Sequence, residues 1–260
     1  MAPFERISHE MDGRVAIITI RRAGARNALD NRATIERGQA FDRFAADDTA
    51  WVAIITGEGD LAFCAGNDMK ARARGQQLTK EDWSGGFGGL ATRQDLFKPV
   101  ICAANGTAVG GGFEIVLACD IVIAADHARF GLPEVKFGQL AGAGGAHRLP
   151  RMLAWQRAMG MLLTGRDIDA VTAARWGIVN EVVPRAQLME TARQWAQEIA
   201  ADSPLAVLAT KETAMRGLDK PLCEVIDHSF PGQDKLRASA DFLEGPRAFA
   251  EKRRPRWKGL

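Results

Sequence analysis

The sequence is poor in cysteine and histidine, and neither residue type has the spacing of a metal site. Its 260 residues include four cysteines and four histidines, with no CxxC pair and no HExxH motif. Those spacings are typical of zinc sites and of thiol redox motifs. Three of the cysteines lie in apolar runs, where a thiol behaves as a small buried hydrophobic group. The composition therefore predicts no bound metal and fits a reducing, cytoplasmic location.

The sequence also lacks an excess of charge and a long apolar run. The 34 Lys and Arg balance 32 Asp and Glu, so the net charge is +2, which argues against nucleic acid or a membrane held by bulk electrostatics. The longest apolar stretch, residues 109–125, contains Glu114 and Asp120 and is too short and too charged to span a bilayer. The first 14 residues contain acidic side chains and no apolar core of a secretory signal. We expect no nucleic-acid partner, no membrane partner and no targeting segment.

Three familiar motifs of nucleotide binding and catalysis are missing. The glycines between residues 106 and 112 do not have the GxGxxG spacing of a dinucleotide site, and no Gly-Lys-Ser/Thr follows them as in a P-loop. Ser84 and Ser203 lack the nucleophile elbow of a serine hydrolase. These absences argue against all three classes.

An alternation of strand and helix patterns is present instead, and it predicts an α/β protein. Apolar, β-rich runs at residues 15–20, 52–56, 100–104 and 121–125 predict buried strands. Residues 31–44 have helical spacing after a cap at Asp30 or Asn31. Amphipathic helices are predicted at residues 155–163, 170–176, 188–200 and 204–216. We expect a main domain over residues 1–200, with the site, and a C-terminal helical region over residues 201–260.

Residues 70–90 combine a polar stretch with the low-complexity run Gly85-Gly86-Phe87-Gly88-Gly89. Such composition is typical of loops, which lie at the surface and often carry function. We interpret this segment as a mobile surface segment near a site.

Two turns with small residues follow predicted strands and form a candidate oxyanion hole. The first is Phe63-Cys64-Ala65-Gly66-Asn67-Asp68-Met69-Lys70, which also reads as a tight turn before an Asp-capped helix. The second, residues 105–114, has three consecutive glycines at a helix start, where exposed N–H groups favour negative charge. One N–H from Asn67 and one from Gly111 could stabilise a carbonyl oxygen that becomes an enolate. Packing of the glycines against a neighbouring strand is compatible with this role.

Two glutamates are the candidate acid and base. Glu114 falls in the first turn of an apolar helix, where it is either a surface residue that stabilises the helix dipole or a partly buried group in a pocket. Its apolar neighbours favour the pocket. Glu134 follows Pro133 and is either an ordinary first-turn helix residue or a second carboxylate of the same site. A third glycine-rich turn, residues 138–145, could wall the site behind an acyl chain, and we interpret His147 as structural.

Taken together, these segments resemble the crotonase, or enoyl-CoA hydratase/isomerase, superfamily. The resemblance covers nearly the whole chain. It lies in Arg26-Asn27-Ala28-Leu29, in residues 63–70, 98–100, 106–114, 118–120, 130–134 and 142–145, in Trp176-Gly177-Ile178-Val179, and in residues 245–253.

The resemblance implies a crotonase-like ββα spiral core with a C-terminal helical trimerisation region, assembled as a homotrimer or homohexamer. It implies an oxyanion hole from the N–H groups of Asn67 and Gly111 and two catalytic acids, Glu114 and Glu134. Many relatives with other activities lack one or both acids, so their presence favours reversible hydration of a 2-enoyl-CoA to a 3-hydroxyacyl-CoA, as in fatty acid β-oxidation. Coenzyme A would enter as part of the acyl-CoA substrate, with no other cofactor.

The same resemblance implies positions that bind the coenzyme A thioester: Arg22, Ala25, Arg26, Ala65, Asp68, Met69, Lys70, Gly142 and Lys252. Among these, Arg22, Arg26 and Lys70 are candidates for its phosphates, and the backbone at Ala25 and Ala65 for its adenine. Lys252 could reach the site from an adjacent subunit. Equally, the cationic run 252–258 reads as a solvated chain end.

Within the superfamily, residues 85–87, 112–114, 132–134, 175–180 and 244–258 resemble the carnitinyl-CoA dehydratases. Two places depart from that branch: Asn67 stands where Trp is expected, and residues 142–145 resemble general enoyl-CoA hydratases. Trp83 and Phe87 could hold a trimethylammonium group by cation–π attraction, although a hydrophobic lid is the commoner use of such residues. A Δ3,Δ2-enoyl-CoA isomerase with Glu134 as its base, and a non-catalytic acyl-CoA binding protein, are further alternatives.

Overall fold

The computed structural model describes residues 4–76 and 84–259. Its strands are β1 (Ile7–Asp12), β2 (Val15–Ile20), β3 (Val52–Gly57), β4 (Ala62–Cys64), β5 (Val100–Ala104), β6 (Thr107–Val109), β7 (Ile121–Ala125), β8 (Arg129–Gly131), β9 (Asp167–Asp169) and β10 (Glu181–Val183). Its α-helices are α1 (Asn31–Ala46), α2 (Met69–Ala73), α3 (Gly111–Val116), α4 (Gly145–Met152), α5 (Trp155–Thr164), α6 (Ala170–Arg175), α7 (Leu188–Ala201), α8 (Pro204–Gly217), α9 (Leu222–Val225), α10 (Pro231–Arg237) and α11 (Ala240–Ala250).

The larger sheet has the order β1-β2-β3-β5-β7-β10 and is parallel except for the β1–β2 hairpin. Its central strands are rich in Ile, Val and Ala and buried on both faces, as expected for parallel strands covered by helices. One face packs against α1 through Phe41 and Phe44, and α7 covers the other through Leu188 and small alanines. The four predicted strands and the α/β class are confirmed.

The smaller sheet, β4-β6-β8-β9, consists of three-residue strands that the sequence patterns did not indicate. Strands β4, β6 and β8 are parallel, and the turns that leave them carry the candidate site residues. Strands of three residues show too few alternations to be recognised from periodicity, and this applies to the edge strand β10 as well. The six-residue hairpin strand β1 was also not predicted, because its sequence ISHEMD is mostly polar and exposed and lacks an apolar run.

Helix caps agree with the sequence pattern. Asp30 caps α1 by accepting from the N–H of Ala33, and Ser203 caps α8, whose first residue is Pro204. Four helices, α8 to α11, make the end of the chain helical as predicted. The division at residue 200 stays a prediction, because α7 runs through that residue without a break.

The interpretation of residues 70–90 as a surface segment is wrong for residues 86–90. Residues 86–90 are buried against α1 and α3. Residues 77–83, among them Trp83, lie outside the described residues. Within the described ranges, no helix is long and apolar enough to cross a membrane.

Candidate active site

The turn between β6 and α3 forms the centre of the candidate site. Gly110 has φ 57° and ψ −133°, a backbone conformation that only glycine adopts readily. Its N–H donates to the carbonyl of Gly131, and its own carbonyl accepts from the N–H groups of Phe113 and Glu114. These bonds fix the first turn of α3 against β8 and direct Glu114 into the protein.

Glu114 is buried, with 3% of the residue exposed. Its Oε1 accepts a hydrogen bond of 2.8 Å from the N–H of Gly145, the first residue of α4. Burial raises the pKa of Glu114 to about 7, and the nearby charge of Glu134 adds to this, while the N–H groups of Gly145 and Ala143 and the cation of Arg148 oppose it. Glu114 is thus a buried group and not the surface residue that was the alternative, and its place in a catalytic pocket stays a prediction.

Glu134 lies in a short 3₁₀ turn after β8 and faces the same glycine turn. Its Oε1 would lie 3.3 Å from a Cβ placed on Gly110. Its Oε2 is buried and has no hydrogen-bond partner within the described part of the chain, and burial raises the pKa of Glu134. The two glutamates are 20 residues apart in sequence, yet Glu134 lies beside Gly110, four residues before Glu114, and its charge contributes to the raised pKa of Glu114. Two carboxyl groups with raised pKa values can hold one proton between them at neutral pH.

The backbone of Asn67 and that of Gly111 come together because two glycines allow it. A Cβ on Gly66 would lie 3.0 Å from the Gly111 nitrogen, and one on Gly112 would overlap the carbonyl oxygen of Cys64. Neither the N–H of Asn67 nor that of Gly111 donates to another described residue. Two free N–H groups on adjacent turns have the arrangement of an oxyanion hole, while the Asn67 side chain is exposed.

The residues predicted to bind the nucleotide part lie on two adjoining loops. The Ala65 N–H donates to the carbonyl of Arg26, which brings residues 25–26 beside residue 65. Arg26 is exposed and has a left-handed backbone conformation, with φ 51°. Ala25, Met69 and Lys70 are exposed nearby. These residues are available to a ligand.

Arg22 was predicted to bind a phosphate of coenzyme A, but its guanidinium is paired with two aspartates of the protein. Its guanidinium contacts Asp30 and Asp68 at 3.0 Å each and donates to the carbonyl of Ala28. Asp68 in turn accepts from the N–H groups of Lys70 and Ala71 and caps α2. Arg22 and Asp68 therefore hold the two loops together, and their side chains point into the protein rather than to a ligand.

Two other predicted residues lie apart from these loops. Gly142 lines a cavity of about 750 Å3 together with Gly144, His147 and Arg148. Lys252 is exposed in the turn after α11, and no ion pair or hydrogen bond of its side chain connects it with the site within the described residues.

Several residues with a part in the site carried no clear sequence signal. Gly145 supplies the hydrogen bond to Glu114, and the Phe87 ring packs on Gly111 where a Cβ would overlap it. Arg148 donates to the carbonyl of Ala91 at 2.6 Å and lies close enough to Glu114 to lower its pKa. The buried Asn27 amide bridges residues 22, 58 and 62. No group of three metal-binding side chains converges within the part of the chain that the structure covers.

This fold, with two glutamates near two free N–H groups on adjacent turns, is that of the crotonase class of acyl-CoA enzymes. Residues 10–260 match the family model described as enoyl-CoA hydratase/isomerase, and the chain belongs to that family.

The relatives agree with this assignment. The chain is 45% identical over 251 residues to a carnitinyl-CoA dehydratase of Citrobacter koseri, covering 95% of this chain and 96% of the relative. It is 45% identical over 237 residues to the carnitinyl-CoA dehydratase of Proteus mirabilis, with 90% and 91% covered. Its structure is similar to the crystal structure of an enoyl-CoA hydratase from Mycobacterium tuberculosis, with a TM-score of 0.92, 38% identity and 98% and 99% of the two chains covered. The predicted family, its fold and its class as an enzyme are confirmed.

Proposed function

We propose that this protein is a hydro-lyase that reversibly adds water across the 2,3 double bond of a 2-enoyl-CoA thioester to give a 3-hydroxyacyl-CoA. The observation that carries the proposal is the proximity of two carboxyl groups with raised pKa values: Glu134 lies beside Gly110, and its charge acts on the buried Glu114. Addition of water needs a base for the water proton and an acid for the carbon. Glu114 and Glu134 supply both.

The proposed mechanism starts with the thioester oxygen between the N–H groups of Asn67 and Gly111. Ionised Glu114 takes a proton from water as the water oxygen attacks C3, and negative charge develops on the thioester oxygen. The two N–H groups stabilise that charge, and loss of one such donor typically lowers the rate roughly a hundredfold or more. Protonated Glu134 then delivers its proton to C2, so that the pair returns to one proton in total.

Coenzyme A recognition is proposed for the exposed members of the two adjoining loops. Arg26 and Lys70 offer cations to the phosphates, and the backbone carbonyl groups of Ala25 and Ala65 offer acceptors to the amino group of the adenine. Because Arg22 is held by two aspartates, we assign it to support of these loops. Lys252 remains a candidate only as a contribution from a neighbouring subunit.

Dehydration of carnitinyl-CoA is a second candidate, favoured by relatives of that name at 45% identity. An isomerase would need only one base, and a non-catalytic acyl-CoA binding protein would need neither glutamate. The presence of two interacting carboxyl groups, both with raised pKa values, argues against both.

The test is the loss of absorbance of the conjugated thioester of crotonyl-CoA with wild type, Glu114→Gln and Glu134→Gln. Turnover by wild type and loss of at least a hundredfold in kcat in both variants would support the two-carboxylate hydratase. Conversion of a 3-enoyl thioester that survives Glu114→Gln would favour the isomerase. Turnover of crotonobetainyl-CoA alone would favour the carnitinyl-CoA dehydratase, and tight binding without any turnover the binding protein.

We also propose that copies of the chain associate as trimers or hexamers and that the enzyme is cytoplasmic. Several large apolar side chains of the helices after α7 are exposed in the single chain, including Leu218, Leu222, Ile226, Leu243 and Phe249. Exposed apolar patches mark interaction surfaces. Light scattering of the purified protein tests the assembly, and a single-chain mass would contradict it.

A further inference from the structure

Arg148, in α4, is a cation that forms no ion pair with a carboxylate within residues 4–76 and 84–259. It lines the cavity of about 750 Å3, and the other Arg and Lys side chains of that lining each lie within 3.5 Å of an Asp or Glu oxygen. These paired cations are Arg93, Arg151, Lys211 and Arg216. Partly buried charges are usually paired in this way. The charge of Arg148 is therefore available to a different group.

The Arg148 side chain folds back over the start of its own helix. Its Nη1 donates a hydrogen bond of 2.6 Å to the carbonyl of Ala91, and a Cβ on Gly144 would overlap that same nitrogen. Gly144 caps α4 with φ 111°, a backbone conformation that favours glycine. The guanidinium thus lies directly against the backbone of Gly144 and connects the start of α4 to the segment that carries Ala91.

The residue after Gly144 holds the proposed base. The N–H of Gly145 donates a hydrogen bond of 2.8 Å to Oε1 of Glu114, and a Cβ on Gly145 would lie 3.0 Å from Cγ of Glu114. Because Arg148 lies against Gly144, it restrains the backbone turn from which this hydrogen bond is made. Arg148 is therefore connected to Glu114 through two consecutive glycines.

The charge of Arg148 also acts on Glu114 across this turn. Burial is the main cause that raises the pKa of Glu114 to about 7, the charge of Glu134 adds to it, and the cation of Arg148 opposes it. The influence is mutual, because burial lowers the pKa of Arg148 while Cys119 and Glu114 oppose that change. A guanidinium keeps its proton in proteins, so Arg148 stays cationic while Glu114 titrates.

We propose that Arg148 is a positioning residue for the proposed base: it holds the Gly144–Gly145 turn in place and stabilises the ionised form of Glu114. The inference rests on the proposed function, since it concerns the base of that reaction. Two neighbouring carboxyl groups share protons as a pair, and a cation that favours ionisation of one leaves the proton on the other. With Arg148 in place, more of the protein has ionised Glu114 and protonated Glu134, the state from which addition of water starts.

The first test is the pH dependence of kcat for crotonyl-CoA in wild type and in Arg148→Gln. Glutamine keeps an N–H donor for the Ala91 carbonyl but removes the charge. A pKa of Glu114 that is higher by about half a pH unit lowers the population of the ionised base, and with it kcat, roughly threefold at pH 6. At pH 9 Glu114 is ionised in both proteins, so their kcat values should be equal. A merely structural defect would lower kcat at every pH.

The second test follows Glu114 without any turnover, by NMR titration of the carboxyl carbons in isotopically labelled protein. The signal that is missing in Glu114→Gln identifies Glu114. Its pKa should be higher by about half a pH unit in Arg148→Gln than in wild type, and Arg148→Lys, which keeps a cation, should restore the wild-type value. This titration does not depend on conversion of crotonyl-CoA, so failure of the proposed hydration and failure of this inference are distinguishable.

Arg151→Gln is the matched control, because Arg151 lies on the same helix, lines the same cavity and is paired with Asp219. It should leave the pH dependence of kcat and the pKa of Glu114 unchanged. Every variant keeps the other titratable groups near Glu114 and Arg148, which are Glu134, Cys119 and His147. A wild-type pKa of Glu114 in Arg148→Gln, or the same loss of kcat at every pH, would overturn the inference. So would an equal rise of this pKa in Arg151→Gln.

Discussion

The N–H of Gly145 donates a hydrogen bond of 2.8 Å to Oε1 of Glu114 and so connects the start of α4 to the proposed catalytic base. The absence of a side chain at Gly145 is what allows this contact. A Cβ there would lie 3.0 Å from Cγ of Glu114 and 3.0 Å from Cδ1 of Leu132.

Gly145→Ala should therefore displace the Glu114 carboxylate. Small displacements of a catalytic group reduce rates by about a hundredfold, and we expect kcat for crotonyl-CoA to fall by roughly that factor while the Kd of a saturated acyl-CoA changes little. Gly142→Ala is the control, because its Cβ would meet only the Leu140 carbonyl, at 3.7 Å. Equal kcat values in the two variants would argue that Glu114 does not depend on this bond.

The raised pKa of Glu114 also predicts how the Glu114→Gln substitution affects folding stability at different pH values. Folding raises this pKa from the ordinary glutamate value of 4.5 to about 7, so the folded state binds more protons than the unfolded state between those values. Stability therefore falls as pH rises through them. Glu114→Gln has no ionisable group at this position and so avoids that loss of folding stability at high pH. It should stabilise the protein at pH 8 by up to about 3 kcal/mol and have little effect near pH 4.5, as measured by urea unfolding at both pH values.

Glu36→Gln is the control of opposite sign. Burial raises the pKa of Glu36, but hydrogen bonds from Arg32 and from the N–H groups of Arg6 and Glu5 outweigh it and lower the pKa below that of an ordinary glutamate. The ionised form therefore contributes stability that is present above the unfolded pKa and lost in acid. Glu36→Gln should destabilise at pH 8, and destabilisation by both variants at that pH would contradict the sign assigned to Glu114.

The sequence predicted the parts of this molecule that local chemistry determines. The β-branched runs of β2 and β3, the cap at Asp30 and the glycines of the α3 turn each have one dominant local explanation. The approach of Glu134 to Gly110 arises from the pairing of β6 with β8. That pairing joins strands separated by a helix and another strand, and no local pattern determines it.

The positions of the cations could not be predicted for a related reason. Arg37 lies in an amphipathic helix, where a charged residue is usually exposed, and only the packing of residues 87–89 against α1 buries it. Arg22 follows a strand beside Arg26 and has the same local character, yet only Arg22 meets two aspartates. Contacts between residues distant in sequence determine which of these arginines is paired within the protein and which has no partner.

Gly112 offers a test of the paired N–H groups. A Cβ at this position would overlap the carbonyl of Cys64, three residues before Asn67, so Gly112→Ala must push the two turns apart. We expect kcat to fall by roughly a hundredfold, the effect of losing one oxyanion donor, with a loss of stability measured by thermal unfolding. Gly160→Ala in α5 is the control. A Cβ on Gly160 would have no atom within 4 Å, so this variant should keep full activity. Full activity of Gly112→Ala would contradict the assignment of Asn67 and Gly111.

Arg22 and Arg26 should respond in opposite ways to removal of their charge. Arg26 is exposed and faces solvent beside Ala65, so Arg26→Ala should raise KM for crotonyl-CoA severalfold, more at low salt than at high salt because exposed charges are screened. Its unfolding temperature should stay within about one degree of wild type, since surface substitutions change stability little. Arg22→Ala should instead lower the unfolding temperature by several degrees, because it leaves Asp30 and Asp68 unpaired. If Arg22→Ala raised KM without loss of stability, Arg22 would be the phosphate ligand and its pairing with the two aspartates would not persist in the complex.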